Sequence, residues 1–457
     1  MVGIGIDIGT TSTCAVAVDA ESGQVKASLS AKTPQFLASP NPWERAQPPE
    51  EILDQVRELL GQMTERLQGI GAIGVTGQMH GIVYLGRDGR SLSPLYTWQD
   101  GRGDVAKDGE TYAEQLSRKT GYALATGFGS VTHEYNVQNG LVPEGAVSLC
   151  TIADYIAMAL AGRKEPVMHS SNAAGLGCFD LEQGCFGVEN RLLPRVEREA
   201  MVLGYAEGDI PVSIALGDNQ ASFIGAVQED ATSVLLNVGT GGQVSYTAPL
   251  VKIGGSIELR PLTADRFLLA GNSLCGGRAY AMLEEFFRSV LHMIEAPTEE
   301  RLYAAMERLA AQPEEAEPLA FDTRFAGTRS DPSLRGSITG IGVDNFTPAA
   351  FVRGTIRGIA GELYGLYQEM RALAGKKPAH LIGAGNGIRK NRLLRRALEQ
   401  QFGMTMEIPL HTEEAAHGAA LFGMTGAGIF QSIDQARALI RYEEKGAACV
   451  SEKEPLR

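Results

Sequence analysis

The sequence predicts an α/β protein built as two related lobes, and three observations carry that prediction. An apolar strand runs into Gly-Thr and leaves as a second strand in IDIGTTS, residues 6–12, and the phrase returns in LNVGTGG, residues 236–242. Strand-period and helix-period apolar runs alternate along the chain, the pattern of sheets covered by helices. The second half repeats the order of the first, with a hairpin, a further apolar strand and then helices.

Each element has its own reason. Residues 2–8 alternate, with Ile4, Ile6 and Ile8 on one face, and residues 12–19 put Cys14, Val16 and Val18 on one side. A turn at 20–23 leads to a third strand at 24–30, and the Pro- and Asn-rich stretch 34–49 reads as a loop. Ile52, Val56, Leu59, Leu60, Met63 and Leu67 fall at helical spacing over 50–67, and 70–76 follows as a buried strand. The middle predicts a helix over 151–162, a strand over 211–216 and a small-residue helix over 220–227. The pattern breaks at 228–231, which divides the chain into a first domain, 1–229, and a second, 230–430. The second domain predicts strands at 232–238, 267–270 and 380–382, and helices starting at Gly277, Thr298 and Thr347. Two more helices, over 390–401 and 412–424, follow a GAGNG turn, and residues 431–457 read as a charged peripheral tail.

Composition narrows the function. A net charge of −13 argues against a nucleic-acid or anionic-membrane partner. No apolar run reaches the ~18–20 residues of a membrane span, and the N-terminus enters a strand without a basic leader, so a cytoplasmic protein is expected. The six cysteines form no C-x-x-C pair, which fits reduced thiols rather than zinc or disulfides. His411 and His417 share no helical face and so make a poor metal pair. Oligomeric state is open, a homodimer included.

The two Gly-Thr turns carry chemistry. Strand–turn–strand units of this kind close backbone N–H groups and Thr hydroxyls around phosphate oxygens. Two of them, one per half, suggest two lobes gripping one nucleotide, with Thr10, Thr11 and Ser12 on one side and Gly239, Thr240 and Gly241 on the other. The copies differ where the first has Asp7 and the second Asn237. One triphosphate with one Mg²⁺ needs a carboxylate on one side only, so Asp7 is the candidate metal-side group, acting through water.

The segments DIGTTST, GVTGQMHG, ALGDNQAS, NVGTGG and GAGNG occur in this order from Ile4 to about Gly428. Order and spacing together resemble the FGGY carbohydrate kinases of the actin-like, sugar kinase and chaperone ATPase superfamily. The resemblance implies a two-lobed ribonuclease H-like, actin-like fold of mixed sheets with helices on both faces. It implies ATP and Mg²⁺ as cofactors and phosphorylation of a ketose on a primary hydroxyl. GQMHG, residues 77–81, is similar to the ketose-binding turn of xylulose and sedoheptulose kinases, and the Arg–Glu pair of glycerol kinases is missing there. TWQDGR at 97–102, ATGFG at 125–129 and SSNAAGLGCFDL at 170–181 resemble sedoheptulose kinases more closely, with xylulose kinases next. The stretch HEYNVQNGLVPEG, residues 133–145, departs from the pattern and looks shortened, which leaves the outer wall of the sugar site unassigned.

Roles follow residue by residue. The resemblance makes Asp218 the catalytic base, set after Gly217 at a tight turn; on spacing alone Asp218 equally suits a helix N-cap. Asn219 beside it can hold a sugar hydroxyl. Met79 and His80 would touch the sugar, one by apolar contact and one by hydrogen bond, with Gly77 and Gly81 bracketing the turn. Gly383, Gly385 and Asn386 in GAGNG resemble the family's adenosine loop. Trp98 fits stacking on the sugar or a place in the core; Asp100 fits a sugar hydroxyl or a pair with Arg102. His417 reads as structural, amid small residues that let a helix pack tightly under the nucleotide loop. The readings from other classes are a non-catalytic actin-like ATPase, a sugar-responsive regulator and a sugar-binding protein without catalysis. The regulator lacks a basic helix-turn-helix, and the intact Asp7, Asp218 and Gly-Thr turns argue against loss of catalysis.

Overall fold

The computed structural model describes residues 1–254, 256–297, 301–328, 331 and 333–444. The first sheet begins as a meander, β1 (Val2–Ile8), β2 (Ser12–Asp19) and β3 (Val25–Lys32). Helix α1 (Pro49–Arg66) then crosses over, and β4 (Ile70–Gly77) returns parallel to β1. After α2 (Ile152–Leu160) come β5 (Val202–Ala206), β6 (Ile210–Ser213) and β7 (Leu216–Gly217), and then α3 (Asp218–Ala226). The strand order is β5-β6-β4-β1-β2-β3, with β7 also paired to β4.

The second sheet is formed by β8 (Ser233–Val238), β9 (Gly242–Ala248), β10 (Ile257–Pro261) and β11 (Phe267–Ser273), continued after α4 (Gly276–Met293) and α5 (Pro348–Ala374) by β12 (His380–Ala384). Helix α6 (Arg392–Phe402) and β13 (Met406–Glu407) complete it, and α7 (Glu414–Gly426) follows in sequence. Its order is β10-β11-β9-β8-β12-β13. The run β12-β8-β9-β11 therefore matches β4-β1-β2-β3, with a parallel first pair and two antiparallel pairs in each lobe. Register reinforces the likeness, since Asp7 lies opposite Cys14 and Asn237 opposite Gln243, each near the turn of its hairpin.

Ile4, Ile6 and Ile8 are fully buried, as their alternation predicts. The other face of β1 is also covered, because Gly3 and Gly5 admit α7: a Cβ on Gly5 would lie 1.8 Å from the Ala416 carbonyl oxygen. Gly74 of β4 meets the Ala419 carbonyl in the same way, and Gly418 of α7 meets that of Ala221 in α3. Helix α7, assigned to the second domain by the expected boundary and placed under the nucleotide loop, instead packs on the first sheet. Its small residues bring backbone against backbone there. His411 and His417 stack at 3.7 Å and fasten this segment, with Nε2 of His411 on the Gly225 carbonyl and Nε2 of His417 on that of Gly23.

Residues 431–444 also correct the expected tail. Ile433, Ala436 and Ile440 are buried in the first lobe's core, and Arg437, 2 % exposed, pairs with Asp230 and Asp434. Three apolar residues at helical spacing were masked in the sequence by the charges around them. Residues 445–457 and the expected helix start at Thr298 lie outside the described residues. One further reading changes: the strand over 211–216 is interrupted between β6 and β7. The helix expected over 390–401 forms as α6, capped by Asn391, after a separate short helix at Asn386–Lys390. Among the described residues, no helix is long and apolar enough to cross a membrane.

Candidate active site

A cleft of about 360 Å³ lies where the ends of β1, β4, β8 and the start of α3 converge. Of the residues singled out in the sequence, Asp7, Thr10, Met79, His80, Trp98, Asp218 and Asn219 line it, as does Asn237. Gln78, inside the GQMHG turn but given no role of its own, lines it too, as do Gln243, Arg260 and Asn272, which sequence reasoning passed over.

Hydrogen bonds lock the first turn. Gly9 N–H donates to the Ser12 carbonyl at 3.0 Å. The Trp98 Nε1–H donates to Thr10 Oγ1 at 3.0 Å, and Gln47 Nε2 donates to the Thr10 carbonyl at 3.0 Å. Gln78 Nε2 in turn donates to Gln47 Oε1 at 3.0 Å. Trp98 is therefore not a core residue; it stays 41 % exposed at the cleft.

The sugar-turn residues occupy a strained bend. Gly81 N–H donates to the Met79 carbonyl at 2.9 Å, a three-residue turn that drives His80 to φ 72°. A non-glycine residue there is held against its backbone preference, a cost that surrounding contacts must offset. His80 Nδ1 lies 2.6 Å from the Gly175 carbonyl oxygen, so that nitrogen carries the proton, and Phe128 packs edge-on at 4.9 Å. Residues 133–145 lie elsewhere: His133 bonds Tyr84 and lines a separate, largely apolar cavity of about 340 Å³.

Asp218 opens α3 as its first residue, while Gly217 holds the cap position without a side-chain cap bond. The cap reading of Asp218 thus gives way to a carboxylate facing the cleft. A Cβ on Gly217 would come 2.9 Å from Met79 Sδ, so glycine here lets the turn and the carboxylate share one wall. Asn219 Nδ2 reaches across to Gln243 and to Ser245 Oγ in the second sheet.

Asp7 keeps some exposed surface, yet burial pushes its carboxyl up to about 7, helped by the negative charges of Asp218 and Glu413. Among the described residues no cation pairs with it. A carboxylate facing other carboxylates in a partly dry cleft suits a hard divalent cation, so the donor set fits Mg²⁺.

The remaining nucleotide candidates lie outside this cleft. Thr11 and Ser12 are exposed on the first turn, and Gly239 and Thr240 on the second. The second turn is closed by Gly239 N–H donating to the Gly241 carbonyl and rests on α4, whose Gly277 and Arg278 N–H groups donate to the Gly239 and Thr240 carbonyls. Gly385, at φ 82°, packs against Asn237 and Val238, and exposed Asn386 starts the short helix after it. Gly383 is corrected: it is buried in β12, where a Cβ would strike Met406. Asp100 is corrected as well. Its carboxylate is fully buried, takes Arg102 Nε at 2.6 Å and Arg45 N–H at 3.0 Å, and has no face for a sugar.

Comparison with known proteins places the arrangement. The FGGY family of carbohydrate kinases, N-terminal domain, matches residues 2–225, and its C-terminal domain matches 234–427. Sedoheptulokinase from Mus musculus is 27 % identical over 92 % of this chain and 96 % of its own. Glycerol kinase from Aquifex aeolicus is 24 % identical over 94 % of this chain and 91 % of its own. The solved xylulose kinase from Rhodospirillum rubrum superposes with a TM-score of 0.84 at 23 % identity, covering 97 % of this chain and 93 % of that one. Twin sheets of one topology, a cleft between matched hairpins and two consecutive domain matches agree, and the chain belongs to the FGGY family of carbohydrate kinases.

Proposed function

We propose that this kinase transfers the γ-phosphoryl group of ATP to a primary hydroxyl of a ketose, with sedoheptulose the first choice and xylulose the alternative. The supporting observation is the shared cleft, which sets Asp218 beside the Met79–His80 turn and opposite Asp7 and Thr10. The likeness to sedoheptulokinase over 92 % of the chain favours the seven-carbon ketose.

In this reading Asp218 is the general base. The acceptor hydroxyl hydrogen-bonds its carboxylate, the hydroxyl oxygen forms a bond to the γ-phosphorus, the bond to the ADP oxygen breaks, and the proton passes to Asp218. A carboxylate of ordinary basicity suffices, because bonding to a loose phosphoryl group acidifies the hydroxyl late in the transfer. Thr10 and the exposed Thr11 donate to the terminal phosphates from one turn, and Gly239 and Thr240 from the other. Asp7 would hold Mg²⁺ through water, and the ion neutralises phosphate charge when bound. Met79 gives the sugar an apolar floor, and His80 a hydrogen bond. Closure of the lobes keeps water from competing for the phosphoryl group.

The test is a coupled ADP-release assay across sedoheptulose, xylulose, ribulose, fructose and glycerol, with and without Mg²⁺. Sugar-dependent turnover highest on sedoheptulose is expected. Turnover confined to glycerol, or ATP hydrolysis indifferent to every sugar, would end the ketose reading.

A further inference from the structure

Among the described residues, Arg260 is the one Lys or Arg in the cleft lining, and it comes from the second lobe. It stands on β10, and its side chain is 9 % exposed. Glu258, two residues earlier and on the same face of the strand, takes Nε at 3.0 Å and Nη2 at 2.6 Å. Both bonds go to one carboxylate oxygen, so they fix the guanidinium plane and leave Nη1 turned the other way. Nη1 points at Met79 Sδ, 4.0 Å away. A thioether is a weak acceptor, and a buried guanidinium donor left with nothing better is costly. The strand that carries Arg260 is also tied to the helix that carries Asp218. Gln220 of α3 donates from Nε2 to the Pro261 carbonyl at 2.9 Å. Other polar atoms of the same wall are unsatisfied: Asn219 Oδ1 and Asn272 Nδ2 are buried and without a partner.

We infer that Arg260 is a specificity-determining residue that donates Nη1 to an oxygen of the sugar lying on Met79, so that the second lobe helps to select the substrate. The inference rests on the ketose-kinase reading above and adds to it a contact from the lobe opposite the sugar turn. A planar donor held on one edge by Glu258 presents the other edge to an oxygen-rich chain. Met79 beneath it meets the C–H face, and Asp218 is held at a fixed offset by the Gln220 bond. A three-carbon acceptor leaves this donor unmet, whereas a longer polyol chain reaches it.

The experiment compares wild type with Arg260→Gln, Arg260→Lys and the double variant Glu258→Gln/Arg260→Gln, on every sugar of the panel that wild type phosphorylates. The double variant also removes the negative charge that Arg260→Gln would leave at Glu258, so a loss caused by that charge is told apart. Expected is a rise in sugar KM of ~10–100-fold, the scale of a lost charge-assisted bond, with the KM for ATP within about twofold of wild type. Arg260→Lys recovers only part of the loss. Sugar KM unchanged in a folded variant overturns the assignment while leaving the kinase reading in place. Equal losses for sugar and ATP also overturn it, since they mark a structural role. A wild-type protein that turns over no sugar removes both.

Discussion

At the scale of single residues, the chemistry rests on where two carboxylates sit. Replacing Asp218 with Asn removes the proposed proton acceptor and keeps the shape. Sugar phosphorylation should fall by ~10²–10⁴-fold, the usual worth of a positioned base, while nucleotide binding by calorimetry stays intact; near-normal turnover would remove the assignment. Asp7 makes a prediction about pH. Its carboxyl titrates at about 7 in the folded chain, against an ordinary value of 3.8. Between those values the folded chain holds a proton that the unfolded chain has lost, so stability falls as pH rises and the penalty is complete above about 7. Buried His169, His411 and His417, which only the unfolded chain protonates at about pH 5–6, act in the opposite direction. The Asp7 contribution is therefore read as a difference: the melting midpoint of metal-free Asp7→Asn minus that of wild type should grow as pH rises from about 5 to 7.5. A variant as steep as wild type would show that the slope comes from other groups, buried Asp154 among them. Asp100 was open between a sugar hydroxyl and a pair with Arg102, and the structure decides for the pair: its carboxylate neutralises Arg102, whose side chain is 1 % exposed. Asp100→Asn would leave buried Arg102 with only the partly exposed Glu44 as counter-charge and should cost about 3 kcal/mol in chemical denaturation.

At the scale of elements, the hairpins and the small-residue helix matter most. The Gly-Thr hairpins were legible because their polar turn interrupts an apolar alternation twice, at matching points of a repeated topology. The role of α7 was legible only in part. Ala and Gly at its positions announced close packing, but sequence cannot say against what. The structure supplies the surfaces, Gly5 and Gly74 of the first sheet and Ala221 and Gly225 of α3. A methyl group at Gly418 would lie 1.9 Å from the Ala221 carbonyl oxygen. Gly418→Ala must push two backbones apart and should destabilise the protein by at least ~1–3 kcal/mol, read as a lower denaturation midpoint with unchanged slope. Because α3 carries Asp218, the same variant should lower kcat more than it raises either KM.

At the scale of the whole molecule, the chain closes on itself. Helix α7 and residues 433–440 follow the second sheet in sequence yet are buried with the first. A fragment of residues 1–229 would leave the glycine face of β1 and β4 uncovered and should fail to melt cooperatively. Adding residues 408–444 as a separate peptide should restore a transition by calorimetry. A cooperative transition of the fragment alone would show the first lobe to be self-sufficient.

Local rules settled much before any coordinates. Alternation set β1 and β2, and helical spacing set α1. Those features are legible because each is decided by residues within a few positions of one another. Tertiary structure alone decided the rest. It put Gln78, Gln243, Arg260 and Asn272 into the cleft, withdrew Asp100 into an ion pair, buried Gly383 against Met406, and returned the chain's last described helices to the first lobe. Each of these depends on partners distant in sequence, and a polar or glycine residue carries no mark of which distant surface it will meet.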